Sequence, residues 1–339
     1  MAHNTQVSAD TDAPPITQML AEFAATHPSQ GWSADVEREA QRSVLNWLGC
    51  AIGAANHPTL AAALAAVNEL APAPQATILG RKEKVDIANA ALLNGISSHT
   101  FDFDDTHLRT IIHPAGPVVS AALALAEHLD ASGRALIDAT VLGIDVSCRA
   151  GNMIYPDHYD RGWHITGSTG MLGAAAACAR LLGLDVAKTT MAIGIAASQP
   201  VGIREQFGTM TNWIEITGEL GQRFEISANT YKPFACGIVI HPSIDVALRD
   251  RVRAVVDDAI DEAGADVTVT CNDGRVLRVV IEHAIGSMEN PMTDAALQRK
   301  FHGLVDPVLG GARADRLIET CGALGGASGV RALTALARP

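Results

Sequence analysis

The chain has 339 residues, 48% of them hydrophobic and 4% aromatic, with a formal charge of −12. That length supports a sizeable core and room for two domains at roughly 100 to 200 residues each. The acidic balance argues against nucleic acid or an anionic membrane surface as the main partner, so an anionic ligand has to find a local positive pocket.

The first residues, "MAHNTQVSADTDAPP", are polar and lack the basic region and apolar core of a signal peptide, and no later apolar run is long and uncharged enough to span a bilayer. The cytoplasm is the expected compartment. The six cysteines, Cys50, Cys148, Cys178, Cys236, Cys271 and Cys321, form no CxxC pair, which suggests neither a zinc knuckle nor a disulfide framework.

From Pro14 to about Thr211 the periodicity is helical. Ile16, Met19, Leu20 and Phe23 share one face, and Val36, Ala40, Val44, Trp47, Leu48, Ala51 and Ile52 do so again behind an N-cap at Ser33. The small side chains of "GMLGAAAACARLLG" (Gly170 to Gly183) suit a buried helix that its neighbours approach closely. Near Tyr231 the character changes. "VTVTCNDGRVLRVVIE" alternates apolar and polar residues around Asp273-Gly274, a hairpin signal, and after "NPMTDAALQRKF" helical spacing returns with Thr293 or Asp294 as cap. The predicted fold is mainly α: a large helical-bundle domain over 14–230, completed by 291–339, and a smaller α+β domain over 231–290. A ligand cleft is expected between the two, where polar loops meet apolar walls.

The chemistry concentrates in "HTFDFDDTHLRTIIHP", His99 to Pro114. His99, Asp102, Asp104, Asp105, His107 and His113 have donor types that suit a divalent ion, although three neighbouring acids cannot all point one way and no HExxH-like signature is present. The DxDD pattern of Asp102, Asp104 and Asp105 also occurs in carbocation cyclases, but those need aromatic walls, which a chain this poor in aromatic residues does not supply. The third reading is metal-free acid/base chemistry: His113 titrates near neutral pH, and Asp102 and Thr106 can orient it or a substrate. The same Asp and Thr also suit simple helix capping.

A wider set of segments changes the balance. "HTFDFDDTHLRTIIHPAGPVVSAALALAE", "GWHITGSTGMLGAAAA", "GIAASQPVGIREQFGTMT", "YKPFACGIVIHPSIDVAL" and "GSMENPMTDAALQRKF" occur in one order along most of the chain, and together they resemble the MmgE/PrpD family. The resemblance implies a catalytic set of His113, Asp102, Thr106 and His164, with Lys232 binding substrate. His241-Pro242 is one of four His-Pro pairs and is read as structural. The implied activity is a cofactor-independent lyase, a dehydratase, hydratase or decarboxylase, acting on a small di- or tricarboxylate of the methylcitrate/aconitate type. No cofactor and no metal are expected, the partner is the small polycarboxylate, and neither nucleic acid nor membrane is a partner. A homodimer through the helical domain is implied as well. Epimerisation of a small dicarboxylate, a metal-dependent hydrolase and a non-catalytic relative are the alternatives.

The chain departs from the family pattern at two places. Asn212 follows "GTMT" where the resemblance implies a lysine and then a histidine on a lid helix, and a further stretch is much reduced around Arg249 to Val255. Either a lid helix is truly lost, or those stretches are absent from the sequence as read. The second is expected, since closing lids make few buried contacts when empty.

Overall fold

A computed structural model of the protein describes residues 15–29, 32–199, 213–233 and 265–339. The Thr211–Asn212 junction, His241-Pro242 and the stretch Arg249 to Val255 lie outside the described residues.

Helix α1 (Ile16–Thr26) buries Leu20, Ala21, Phe23 and Ala24 on one stripe, as its apolar spacing requires. Helix α2 (Ala34–Gly53) begins where the Ser33 hydroxyl accepts a hydrogen bond from the Val36 N–H at 3.3 Å, and Asp35 and Glu37 sit at its positive end. From Arg42 to Ile52 this helix is buried on every face, which makes it a central strut. Helix α3 (Pro58–Asn68) and the two-residue strands β1 (Ala76–Thr77) and β2 (Lys84–Val85) lead into α4 (Ile87–His99).

After strand β3 (Asp105–His107) come α5 (Ala115–Leu129), α6 (Gly133–Ile154), the single turn α7 (Asp157–Asp160), α8 (Ile165–Leu181) and α9 (Val186–Ala197). The close approach predicted from the small-residue run takes place between α6 and α8. A Cβ on Gly173 would lie 2.3 Å from the Gly143 carbonyl oxygen, and one on Gly143 would lie 2.8 Å from that of Gly173, so only hydrogen fits at this crossing. Packing this close lets α5, α6 and α8 hold the loops at their ends rigidly.

Helix α10 (Trp213–Thr217) is followed by strand β4 (Asn229–Tyr231), which pairs antiparallel with β3 in the register Asp105 to Tyr231, Thr106 to Thr230 and His107 to Asn229. Strands β5 (Ala265–Thr270) and β6 (Val276–Ile281) form the predicted hairpin, with Gly274 at φ +84°. Its turn is wider than a two-residue one. The Cys271 N–H donates to the Arg275 carbonyl at 2.8 Å, leaving 272–274 as the loop.

Helix α11 (Asp294–Leu309) is capped by Thr293, whose hydroxyl accepts from the Ala296 N–H at 3.2 Å, and it packs on α2. Helices α12 (Gly311–Gly322) and α13 (Arg331–Leu336) close the described chain. The architecture is mainly α with a small α+β portion, as the sequence predicts. Among the described residues no single helix is long and apolar enough to cross a membrane, and the pair α2–α3 that meets the length jointly is bent by 85°.

Candidate active site

The acidic stretch is neither helix nor plain loop. Helix α4 ends at His99, the chain turns through Asp102 at φ +55°, runs as β3, turns again through Ile111 at φ +58°, and enters α5 behind His113 and Pro114. Aspartate tolerates the left-handed region, but β-branched Ile111 is strained there by about 1–3 kcal/mol, a cost that the surrounding packing must offset. β4 anchors the stretch: the Thr230 hydroxyl donates to the Thr106 carbonyl at 2.7 Å. Lys232 directly follows β4, so the ladder register sets it beside Asp104.

Lys232 is 1% exposed and forms ion pairs with Asp102 and, at 3.3 Å, with Asp104. An ammonium has three N–H donors, and among the described residues two carboxylates engage it, so a third donor is open to a substrate oxygen. The second Asp104 oxygen accepts from His99 Nδ1 at 2.7 Å. Burial alone raises the Asp104 carboxyl, yet the His99 hydrogen bond and neighbouring positive charge outweigh it and bring Asp104 down to about 2.

His113 is held at three points. Its backbone N–H donates to Thr166 Oγ1 at 3.0 Å, while its Nδ1 lies 2.6 Å from the Asp105 carbonyl oxygen and 3.2 Å from Thr106 Oγ1. A carbonyl only accepts, so Nδ1 carries the proton and the neutral ring leaves a lone pair on Nε2. Burial lowers the His113 pKa, which keeps that lone pair free at neutral pH. Thr106 is fully buried with its hydroxyl against His113 Nδ1, so it supports His113 and does not line an open cleft.

His164 has the opposite tautomer. It caps α8, with Nδ1 accepting from the Gly167 N–H at 3.3 Å, so a neutral ring carries its hydrogen on Nε2. Burial and then the charge of His99 lower its pKa. The rings of His99, His113 and His164 form a triangle with centroid separations of 5.7, 6.3 and 6.5 Å. Asp102, His113, His164 and Lys232 thus belong to one connected cluster, joined through Asp104 and His99.

The six-ligand metal reading does not survive this geometry. His99, Asp102 and Asp104 converge, with potential ligand atoms within 4.8 Å of one another, but the Lys232 ammonium already sits against both carboxylates and any divalent ion would have to displace it. Asp105 faces away: its carboxylate accepts from Asn229 Nδ2 at 2.5 Å and from the Ala115 N–H at 3.2 Å, at the start of α5. Burial pushes Asp105 up to about 7. His107 is buried between Thr110 and Glu225, at 2.7 and 3.1 Å, and serves the β3 turn.

Two supports escape a reading of the sequence. Lys300 on α11 donates to the Phe103 carbonyl and to Asn46 Oδ1, both at 2.6 Å, and so ties α11 and α2 to the loop between Asp102 and Asp104. Arg149 on α6 is buried, pairs with Asp145 at 2.6 Å, and donates to the carbonyls of Gly218 and Arg223 at 2.7 and 2.6 Å, fixing the chain that leads to β4. Lys300 lies in the last of the five quoted segments, but nothing local indicates its target. A separate cavity of about 280 Å³, lined by Arg38, Glu39, Arg42, Asn229, Tyr231 and Met288 among others, contains none of the predicted site side chains.

Comparison with known proteins follows the same pattern. The chain is 29% identical over 204 residues to the cis-aconitate decarboxylase-like protein oryM of Aspergillus oryzae, covering 57% of this chain and 42% of that protein. It is 27% identical over 219 residues to the cis-aconitate decarboxylase of Aspergillus terreus, covering 62% and 45%, and 35% identical over 133 residues to that of Homo sapiens, covering 38% and 27%. The chain thus spans less than half the length of the curated relatives it matches. Residues 18–223 match the MmgE/PrpD N-terminal domain and residues 238–324 the MmgE/PrpD C-terminal domain, so the chain belongs to the MmgE/PrpD family.

Proposed function

We propose that the protein is a cofactor-independent lyase for a small di- or tricarboxylate of the aconitate/methylcitrate type, with decarboxylation of cis-aconitate the first reaction to assay. The observation that carries this reading is a triangle of three imidazoles, one of which, His99, is hydrogen-bonded to the Asp104 carboxylate that also pairs with the Lys232 ammonium. Chemistry beside a carboxylate develops charge on the adjacent carbon. Lys232 then stabilises a substrate oxygen, while the Nε2 lone pair of His113 takes or returns a proton and the Nε2–H of His164 donates a hydrogen bond. The names of the matched relatives support decarboxylation, and the same groups serve dehydration or epimerisation.

Incubating the purified chain with cis-aconitate, citrate, 2-methylcitrate and iminodisuccinate, and resolving products by NMR, tests the reading. Turnover that survives chelation and disappears in His113→Ala supports it. Turnover that needs an added divalent ion, or dehydration or epimerisation that is untouched in His113→Ala, overturns it. One observation favours a non-catalytic relative instead: the Lys232 charge is already matched by two carboxylates, and that reading expects no turnover at any enzyme concentration.

The domain division at 231 and 291, a cytoplasmic setting and a homodimer belong to the same proposal. Exposed Leu182, Met191 and Ile195 at the end of α8 and along α9 support a self-associating face, which sedimentation checks.

A further inference from the structure

Taking the lyase reading above as its ground, we propose that His99 is the proton donor of the site and that Asp104 is the positioning residue that orients it. His99 enters the family-derived site only as a candidate ligand, yet its ring stands 5.7 Å from that of His113 and 6.5 Å from that of His164. Its Nδ1 donates to Asp104 at 2.7 Å, so the other nitrogen, Nε2, is turned away from that carboxylate. The opposite oxygen of Asp104 pairs with Lys232, so one carboxylate fixes both the donor and the ammonium.

Three features separate His99 from its neighbours. First, a decarboxylation consumes one proton per turnover, so the donor must be recharged from water. The His99 side chain is 55% exposed, whereas Lys232 is buried and paired. Second, the Nδ1 proton of His113 is committed to the Asp105 carbonyl, and its Nε2 offers a lone pair, as a base requires. Third, the Asp104 hydrogen bond raises the His99 pKa, with Asp102 adding to the effect and burial and Lys232 opposing it, while His113 and His164 are lowered. Among the described residues, Asp104, Asp102, Lys232, His113 and His164 are the titratable groups that face the ring.

The step balances. In decarboxylation the bond to the departing carboxyl breaks, carbon dioxide leaves, and the electron pair stays on the substrate carbon. That carbon takes the Nε2 proton of His99, and the neutral ring is reprotonated by water. In dehydration His113 Nε2 takes the α-proton, the hydroxyl departs as water with the proton of His99, and exchange with solvent then removes the proton from His113 and restores the one on His99.

The test is made on the full chain with whichever carboxylate it turns over. His99→Gln is expected to lower kcat by about 10²–10³-fold with KM changed by less than about threefold, and to abolish the basic limb of the pH profile. Asp104→Asn is expected to move that limb to lower pH. A kcat within about threefold of wild type with the basic limb retained in His99→Gln overturns the proposal. Histidine-resolved NMR titration of the wild-type chain needs no turnover: His99 must titrate above its ordinary value and above His113 and His164. Absence of turnover on every carboxylate defeats the lyase reading, and a His99 titration at or below 6.5 defeats the dyad separately.

Discussion

Replacing Lys232 with methionine removes the cation that Asp104 faces inside the protein. Asp104 is 2% exposed, and stripping one partner from a buried pair costs ~3–5 kcal/mol when the remaining charge has nothing else. Here two features reduce the figure. Asp102 is 41% exposed and regains water, so its share is screened, and Asp104 keeps the His99 hydrogen bond. About 2–3 kcal/mol remains, which at ~2–4 °C per kcal/mol lowers Tm by several degrees at pH 7. Thermal unfolding of wild type, Lys232→Met and Lys232→Met with Asp104→Asn measures this. The double variant is expected to recover part of the loss, because it removes the stranded charge as well. An unchanged Tm in Lys232→Met would show that the ammonium is not held between the carboxylates, and the account of the site would fall with it.

His113→Gln is expected to reduce kcat by about 10²–10⁴-fold for dehydration or epimerisation, where its Nε2 takes the α-proton, while its unfolding midpoint moves little, checked by steady-state kinetics beside a urea titration. Lys300→Met frees the Phe103 carbonyl and loses a charge-assisted bond of ~1.5–3 kcal/mol, so activity should fall although Lys300 touches none of the three imidazoles, and a fully active variant would contradict the anchoring role. For Asp105 the folded pKa, about 7, lies above its ordinary 3.8, so the folded state binds the proton more tightly and stability falls as pH rises from about 4 to 7. The change is worth up to ~4 kcal/mol at ~1.4 kcal/mol per pH unit. Asp105→Asn should remove that slope, and urea midpoints at both ends of the window that still diverge as in wild type would refute the buried-acid account.

The helical framework is legible because its signals are local: the apolar stripe of α1, the Ser33 and Thr293 caps, and the small residues at the α6–α8 crossing each act within a few turns of chain. The contact between His113 and Thr106 is local too, seven residues apart in one motif, but their roles in the site are implied only by the family resemblance. The wiring between motifs is not. β3 is three residues long, too short for alternation to show, and exists because it pairs with a segment 124 residues downstream. The Lys232 contact with Asp102 spans 130 residues, and the Lys300 contact with Phe103 spans 197. A residue type indicates which bonds it is able to make; only the folded register decides which it does make. Asp104 and Asp105 illustrate the point: adjacent and alike in sequence, they meet different partners, one held at about 2 by its hydrogen bond and nearby charge, the other pushed up to about 7 by burial.

The charges in the cluster also predict how a substrate carboxylate enters. Lys232 faces two carboxylates, Asp102 and Asp104, and the Asp104 hydrogen bond raises the His99 pKa, so the cluster is not the positive trap that a polycarboxylate would favour. An incoming carboxylate must therefore compete for Lys232. Asp104 is buried and held on both oxygens, whereas Asp102 is exposed and held on one, so Asp102 is the partner that yields. Asp102→Asn removes that competitor. A pair screened by water on its Asp102 side is worth ~0.5–1 kcal/mol, so the KM for a carboxylate substrate should fall by about two- to five-fold, while kcat falls if the Asp102 charge also orients the reacting groups. Steady-state kinetics, or calorimetric binding of the same carboxylate, measures both. A KM that rises in Asp102→Asn would mean that Asp102 binds the substrate itself, and that the ammonium is not contested.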